Sequence, residues 1–419
     1  TEHSLLFNNP DGTYTRKNKN GDEINFNAQG LQTSVVDRNG NATNYEYDGQ
    51  GKLVSITDPV GLVTTLAYSG DKIASVTDPA GRTTTFEMDG SGNLTKITDP
   101  DGTFRLFSYD SDHRLTSQTS KRGFVTNYQY NFAGRLTGAT RPDGSTVSMS
   151  PQWMVGLIDP STGLGTQANP APYVPPSEIK ATYTDGNGKT TTTIFNNFGY
   201  ILDTTDPLGR RTIFTRGGAN NVIKITDPKG NITDMNYDPR HNLNWSIDQA
   251  IGARTDFTYT NDGFNQIKTI KDPRNNTTTF NYNSSGDLTS IVDALGHQTT
   301  MSYNALGLQT SITDALNNTV SFDYDPATMN LVGTTDQLLN DTIFTLDAAG
   351  NVTSMTDAGG KTTTYSYDVM NRLTQVVDPD LAVTTYDYDD AGNLAVVTDA
   401  RLKTTTYSYD QRDRLTGRT

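Results

Sequence analysis

A 21-residue unit recurs through almost the whole chain, and it leaves few folds open. Residues 78–98 read DPAGRTTTFEMDGSGNLTKIT, 293–313 read DALGHQTTMSYNALGLQTSIT, and 357–377 read DAGGKTTTYSYDVMNRLTQVV. The unit opens at Asp37, Asp58, Asp78, Asp99, Ser120 and Arg141. After an interruption it resumes at Asp185, Asp206, Asp227, Asp248, Asp272, Asp293, Asp314, Asp336, Asp357, Asp378 and Asp399. Of the 15 intervals within these two runs, 12 are 21 residues and the others are 20, 22 and 24. A period this regular means one supersecondary unit stacked on copies of itself.

Each unit reads as a β-hairpin. The Asp-Pro-x-Gly opening, as in Asp58-Pro59 and Asp78 with Gly81, is turn chemistry: Asp accepts backbone N–H bonds, Pro presets φ and Gly tolerates positive φ. The Thr-Thr-Thr-Tyr-x-Tyr run that follows is β-branched and aromatic, with high strand propensity. A second turn opens at the Asp after the second Tyr, as in Asp48-Gly49-Gln50-Gly51, and Leu-Thr-x-Ile-Thr returns. Two strands in 21 residues leave no room for helices. The chain is therefore predicted to be all-β, a solenoid ribbon of consecutive antiparallel hairpins.

The faces follow from a period of two. Tyr365 and Tyr367 share one side, as do Tyr386 with Tyr388 and Tyr407 with Tyr409. Glu87, Ser302, Ser366, Asp387 and Ser408 point to the other. With a four-residue second turn, the Tyr pair shares its face with the return-strand Ile or Val, while the Leu has the wrong parity. A β-bulge beside that turn is predicted to restore it. Packing between adjacent hairpins is the expected use of the tyrosines; the alternative is a tyrosine-lined groove for carbohydrate or peptide.

Composition removes several function classes. The chain has no Cys, so disulfides, thiolate nucleophiles, iron–sulfur clusters and Cys-based zinc sites are excluded. Its net charge of −14 argues against a phosphate-tracking surface, and so against nucleic acid. No run of 18 apolar residues exists, so no helical membrane span is expected. The 67 Thr, 36 Asn and 21 Tyr suit a polar β-ribbon rather than a disordered tract. Of the four His (His3, His113, His241, His297), none forms a spaced metal-ligand pair. Paired carboxylates such as Asp110 with Asp112, or Asp389 with Asp390, lack the twelve-residue calcium loop around them. Neither a phosphate loop nor a nucleophile elbow is present. No catalytic, metal or cofactor site is predicted.

The Tyr-Asp dipeptides at Tyr47-Asp48, Tyr109-Asp110, Tyr237-Asp238, Tyr324-Asp325, Tyr367-Asp368, Tyr388-Asp389 and Tyr409-Asp410 recur at the second turn of the unit. In this the chain resembles the YD-repeat, or Rhs, family of bacterial polymorphic toxins, Tc-toxin cocoon components and animal teneurins. The resemblance runs from about residue 10 to 419 and implies a ribbon that spirals into part of a hollow shell, often around a C-terminal toxic polypeptide. It implies as partners the flanking repeats and such a cargo, and export from a bacterial cell or display on its surface. The family's cargo cleavage depends on a C-terminal core motif that the repeats here do not supply; Asp159-Pro160-Ser161-Thr162-Gly163-Leu164 only echoes the motif that closes such shells. The other function class is an adhesive or filament-forming surface protein that associates end to end.

Four stretches are expected: a lead-in over 1–36, a first run over 37–141, a Pro/Gly-rich insertion over 142–184, and a second run over 185–419 that stops mid-pattern. The insertion reads as a loop with at most one short strand, because its Pro density disfavours interior strands. Within it, Trp153 and Tyr173 are candidate residues of a plug or docking loop. Seventeen units make about 34 strands, which at about 4.8 Å each give a ribbon roughly 160 Å long. That is about one turn of wall around a cargo of 100 residues, whose gyration radius is about 13 Å.

Overall fold

The computed structural model describes residues 4–131, 134–152 and 179–419. The described residues form 38 strands and no helix, from β1 (Leu5–Asn8) to β38 (Leu415–Arg418). Consecutive strands pair antiparallel, so the chain is the expected all-β ribbon. It divides into two compact units: residues 1–104, 257–409 and 415–419 form one, and 105–256 with 410–414 the other.

Both turns of the hairpin are the same device. In Asp58–Leu62, the Asp58 N–H donates to Leu62 O (3.0 Å) and the Gly61 N–H to Asp58 O (3.1 Å). The loop is thus three residues closed by a residue in the left-handed region, Gly61 at φ +89°. The second turn is identical, with Asp48 N–H on Lys52 O and Gly51 at φ +81°. The expected four-residue loop is therefore one residue shorter. The 20-residue and 22-residue units depart from the period in this second turn. The 20-residue unit closes β7 (Val63–Ser69) on β8 (Lys72–Thr77) through Gly70-Asp71 alone. The 22-residue unit widens the turn that runs from Asp325 to Asn330.

The predicted bulge is present. Between β5 (Ala42–Tyr47) and β6 (Leu53–Thr57), Tyr47 faces Leu53 while Glu46 faces Ser55, leaving Val54 as the extra residue. The same shift recurs at Tyr109, Tyr130, Tyr282, Tyr303, Tyr324, Tyr367, Tyr388 and Tyr409. At the other turn the register is regular, as in Thr57 facing Val63. The ribbon thus has a regular edge, which we call the proline edge, and a bulged one, the tyrosine edge.

Register also sets the slant. Tyr365 faces Val376, and Val376 faces Thr384, two residues short of Tyr386. A slip of two residues per hairpin is about 6.6 Å along the strand for about 9.6 Å across it, a tilt of roughly 35°. Among the described residues no second layer packs on either face. Ala139 and Val147 are the only buried apolar side chains among the described residues. In β33 (Thr362–Tyr367) exposure alternates, with Thr363, Tyr365 and Tyr367 half-buried and Thr362, Thr364 and Ser366 exposed.

The ladder enters the 142–184 stretch from both ends, where the sequence suggested a loop. β15 (Thr146–Gln152) pairs with β16 (Ile179–Thr184), Ser148 facing Thr184 and Pro151 facing Ala181. Pro151 is tolerated because β14 (Leu136–Thr140) pairs with β15 only as far as Ser148. These two strands are the sixth hairpin of the first run. Trp153 and Tyr173 lie outside the described residues.

Candidate functional site

Three features recur with the repeat: capped turns, a ladder of tyrosine hydroxyls, and charged loop tips that meet other loops far away in the chain.

The turn aspartates work as caps. Asp48 Oδ1 accepts the N–H groups of Gln50 (2.8 Å) and Lys52 (2.9 Å). Asp58 does the same for Val60 and Leu62, Asp78 for Ala80 and Arg82, and Asp389 for Ala391 and Asn393. Asp368 and Asp410 add a second oxygen to Arg372 Nε (2.6 Å) and Arg414 Nε (2.7 Å). These bonds favour the ionised carboxylate. The Lys52 N–H above all holds Asp48 below its ordinary range, and the Arg414 N–H does so for Asp410. For Asp78 and Asp368, burial pushes upward, and the bonds from Arg82 and Arg372 outweigh it.

A pH dependence follows. A carboxyl whose folded pKa is depressed stabilises the fold above its unfolded pKa, and that contribution is lost as pH falls through the folded value. Thermal unfolding followed by circular dichroism is expected to show a melting temperature flat from pH 5 to 8. It should fall steeply below about pH 4, where the turn carboxylates begin to protonate.

The second Tyr of the unit reaches back 15 residues. Tyr47 Oη donates to Gln32 O, Tyr68 to Leu53 O, Tyr367 to Val352 O, Tyr388 to Leu373 O and Tyr409 to Leu394 O, at 2.9–3.0 Å. Each accepting carbonyl belongs to the residue just before the bulge of the preceding hairpin. In the second case, Leu53 lies past the last β6–β7 pair, Ser55 with Thr65, so no residue of β7 pairs with it. The hydroxyl supplies the bond that the bulge removes. Where the unit carries Arg216 instead, its Nε donates to Ile201 O at 2.8 Å, again 15 residues back. The hydroxyls that staple hairpin to hairpin are thus turned to the backbone rather than to a ligand.

The third feature is a seam of loop on loop within each unit. In the first unit, Arg38 Nη2 and Asn39 Nδ2 donate to Asp287 Oδ1 at 3.1 and 3.3 Å, and Asn41 Nδ2 donates to Leu306 O at 2.9 Å. Arg372 Nη2 stands 3.6 Å from Asp101 Oδ2. In the second unit, Arg122 Nη1 donates to Asp413 Oδ1 (2.7 Å) and Asp410 O (2.9 Å). Arg412 and Arg414 both bond Asp143 Oδ2 at 3.2 Å. The Ser145 hydroxyl and N–H, joined by Arg412, hold the Asp143 carboxyl down at about 2. In every case a proline-edge loop of the first run meets a tyrosine-edge loop of the second, 249–291 residues later for the charged pairs. Sequence reasoning missed these residues. Arg38 stands where most other units carry Pro or Ala, but Asp101, Arg122 and Asp143 stand at a variable slot, and the offsets are not multiples of 21, so periodicity does not name the partners.

The described histidines and paired carboxylates singled out from the sequence lie in the turns. His113 and His241 occupy left-handed turn positions, and His297 Nδ1 lies 2.8 Å from its own turn cap, Asp293 Oδ2. His3 lies outside the described residues. Asp110 and Asp112 both pair with Arg114 rather than standing open to a cation. No group of three His, Cys, Asp or Glu side chains is placed to hold a metal among the described residues, and no helix there is long and apolar enough to cross a membrane.

The RHS Repeat family model matches residues 262–298, 282–318, 347–381 and 388–419, and the Teneurin YD-shell model matches 26–156. No curated protein matches the chain. Among solved structures, TcdB2–TccC3 without its hypervariable C-terminal region aligns at 14% identity and a TM-score of 0.50, over 99% of this chain and 25% of that one. The Photorhabdus luminescens Tc holotoxin pore, carrying a TccC3 mutation, aligns with the same identity, score and coverage. This chain therefore has their fold over about a quarter of their length. The two models match repeats in both runs of the chain: the chain belongs to the YD-repeat, or Rhs-repeat, family.

Proposed function

We propose that this repeat scaffold is a non-catalytic wall segment of an exported bacterial shell that encloses a toxic polypeptide. The observation that carries the reading is the seam. A ribbon whose two edges bind each other can be laid edge to edge into a continuous wall, whereas a free strip cannot retain a cargo. The single layer formed by the described residues supports the same reading, because a one-layer wall leaves both faces to solvent or contents. The partners are then flanking repeats and a C-terminal cargo of the same polyprotein, and the 153–178 connection, with Trp153 and Tyr173, is a plug or docking arm.

Peptide mass spectrometry of the native protein, before and after limited proteolysis, tests this. The expected result is a resistant repeat core that co-purifies with a separate C-terminal fragment, released only when the core is unfolded. Repeats with no such fragment, or a fragment lost equally fast from native protein, overturn encapsulation and favour the adhesive or filament-forming role.

A further inference from the structure

The one 24-residue interval, from Asp248 to Asp272, contains the longest tyrosine-edge turn among the described residues. Between β23 (Ala253–Tyr259) and β24 (Ile267–Lys271) it runs over seven residues, Thr260–Gln266, against the five of Asp48–Lys52. It is braced from within and tied to its neighbour. Asp262 Oδ1 accepts the Thr260 hydroxyl (2.7 Å) and the Phe264 N–H (3.0 Å), and Thr260 Oγ1 accepts the Gln266 N–H (3.0 Å). Gln266 Nε2 donates to Gly286 O at 2.7 Å. Asn261, Asp262 and Gly263 are exposed, yet Phe264 beside them is half-buried.

The ring fills the space over Gly21, in the proline-edge turn Asn18–Asp22 of the lead-in. A Cβ on Gly21 would stand 2.5 Å from Phe264 Cε1 and 2.7 Å from Cδ1, and one on Gly286 would stand 3.1 Å from Cδ2. Gly21 is buried. Gly40, Gly61 and Gly81, at the matching place of the next turns, are exposed, with open space where a Cβ would be. Gly286 precedes Asp287, and Arg38 Cβ is 3.4 Å from the same Gly21 position. The ring therefore also lies beside the buried Arg38–Asp287 pair.

We propose that Phe264 is the latch of the seam: its ring, seated on Gly21, fastens the lead-in to the second-run edge and keeps water from the Arg38–Asp287 pair. The seam opens from this end only when the ring leaves its seat. The lead-in has little else to hold it. Its strands β1 (Leu5–Asn8), β2 (Tyr14–Lys17) and β3 (Glu23–Phe26) are four residues each, and β1 is exposed throughout. A terminal unit of a repeat array rests on its neighbours, so one seated ring carries a large share there. The long turn can also let go. Gly263 (φ +98°) and Asn265 (φ +56°) flank Phe264 in the left-handed region, and such residues at a loop tip absorb a swing of the side chain between them. The latch stands whether or not the ribbon encloses a cargo.

Hydrogen exchange read by mass spectrometry on the full chain tests this. Phe264→Ala is expected to speed exchange at least tenfold in residues 14–41 and 283–287, and to leave residues 362–398 unchanged. Gly21→Ala, which puts a methyl group in the seat, should do the same with the ring present. Gly61→Ala is its control, because Gly61 has a similar φ of +89° against +95° and nothing near its Cβ position. In the Phe264→Ala background the excess of Gly21→Ala over Gly61→Ala should vanish. Arg38→Met should speed exchange in residues 283–287 several-fold less in that background than in the parent, since water then already reaches Asp287. Lead-in exchange within twofold of the parent in Phe264→Ala overturns the latch. So do equal effects of Gly21→Ala and Gly61→Ala, or a rise spread evenly over the chain. If Phe264→Ala does not fold, Phe264→Leu is read in its place.

Discussion

Replacing Arg38 by Met is expected to destabilise the fold by about 3 kcal/mol, the low end of the range for stranding a buried charge. Asp287 is 3% exposed, so its carboxylate has little water to fall back on. Arg38 is itself about a third exposed, which is why the low end applies. Asn283 Nδ2 still donates to Asp287 Oδ2 at 3.0 Å, so the loss is not total. The double variant Arg38→Met with Asp287→Leu should recover much of the single loss, because no unpaired charge then remains. A double-mutant cycle from urea unfolding reads the coupling directly. A coupling below about 0.5 kcal/mol would mean that this seam pair only touches and does not hold.

Tyr388→Phe is expected to cost about 1 kcal/mol, and Tyr388→Ala about 3 kcal/mol. The first removes the hydroxyl on Leu373 O and leaves that carbonyl without its bond. The second also removes a half-buried ring under the Arg372 guanidinium, 5.0 Å from its centroid. Tyr386, whose hydroxyl takes no part in the 15-residue pattern, is the control: Tyr386→Phe should stay within about 0.5 kcal/mol. Equal losses at the two positions would remove the staple as the reason for the second Tyr. Because a repeat array is stabilised by neighbour contacts, hydrogen exchange should speed up first in the two hairpins that Tyr388 joins.

The seam and the staple differ in how far they could be read ahead. The unit's turns, strands and faces were legible, because each depends on residues within one hairpin. Asp48 with Gly51 reads as a turn from its own chemistry, and the structure gives it the caps that chemistry implies. The bulge at Tyr47 was legible from parity alone, since Leu53 and Ile56 cannot otherwise share the Tyr side. The loop length was misjudged by one residue, because a bulge and a shorter turn place the same residues on one face. The strands at either end of 142–184 were hidden by Pro151, whose single-sided pairing cannot be told from sequence.

By itself, the sequence determined the hairpin, its period, its two kinds of turn and the side on which the tyrosines stand. All of these follow from dihedral preference and from an alternation of two. Only the tertiary structure decided what the second tyrosine bonds and which loops meet. Tyr388 finds Leu373 because the bulge has displaced one carbonyl from the ladder. Arg38 finds Asp287, and Arg122 finds Asp413, because a slip of two residues per hairpin accumulates over some twelve hairpins with the twist. Small angles summed over that distance set which loop tips coincide. No single repeat contains that sum.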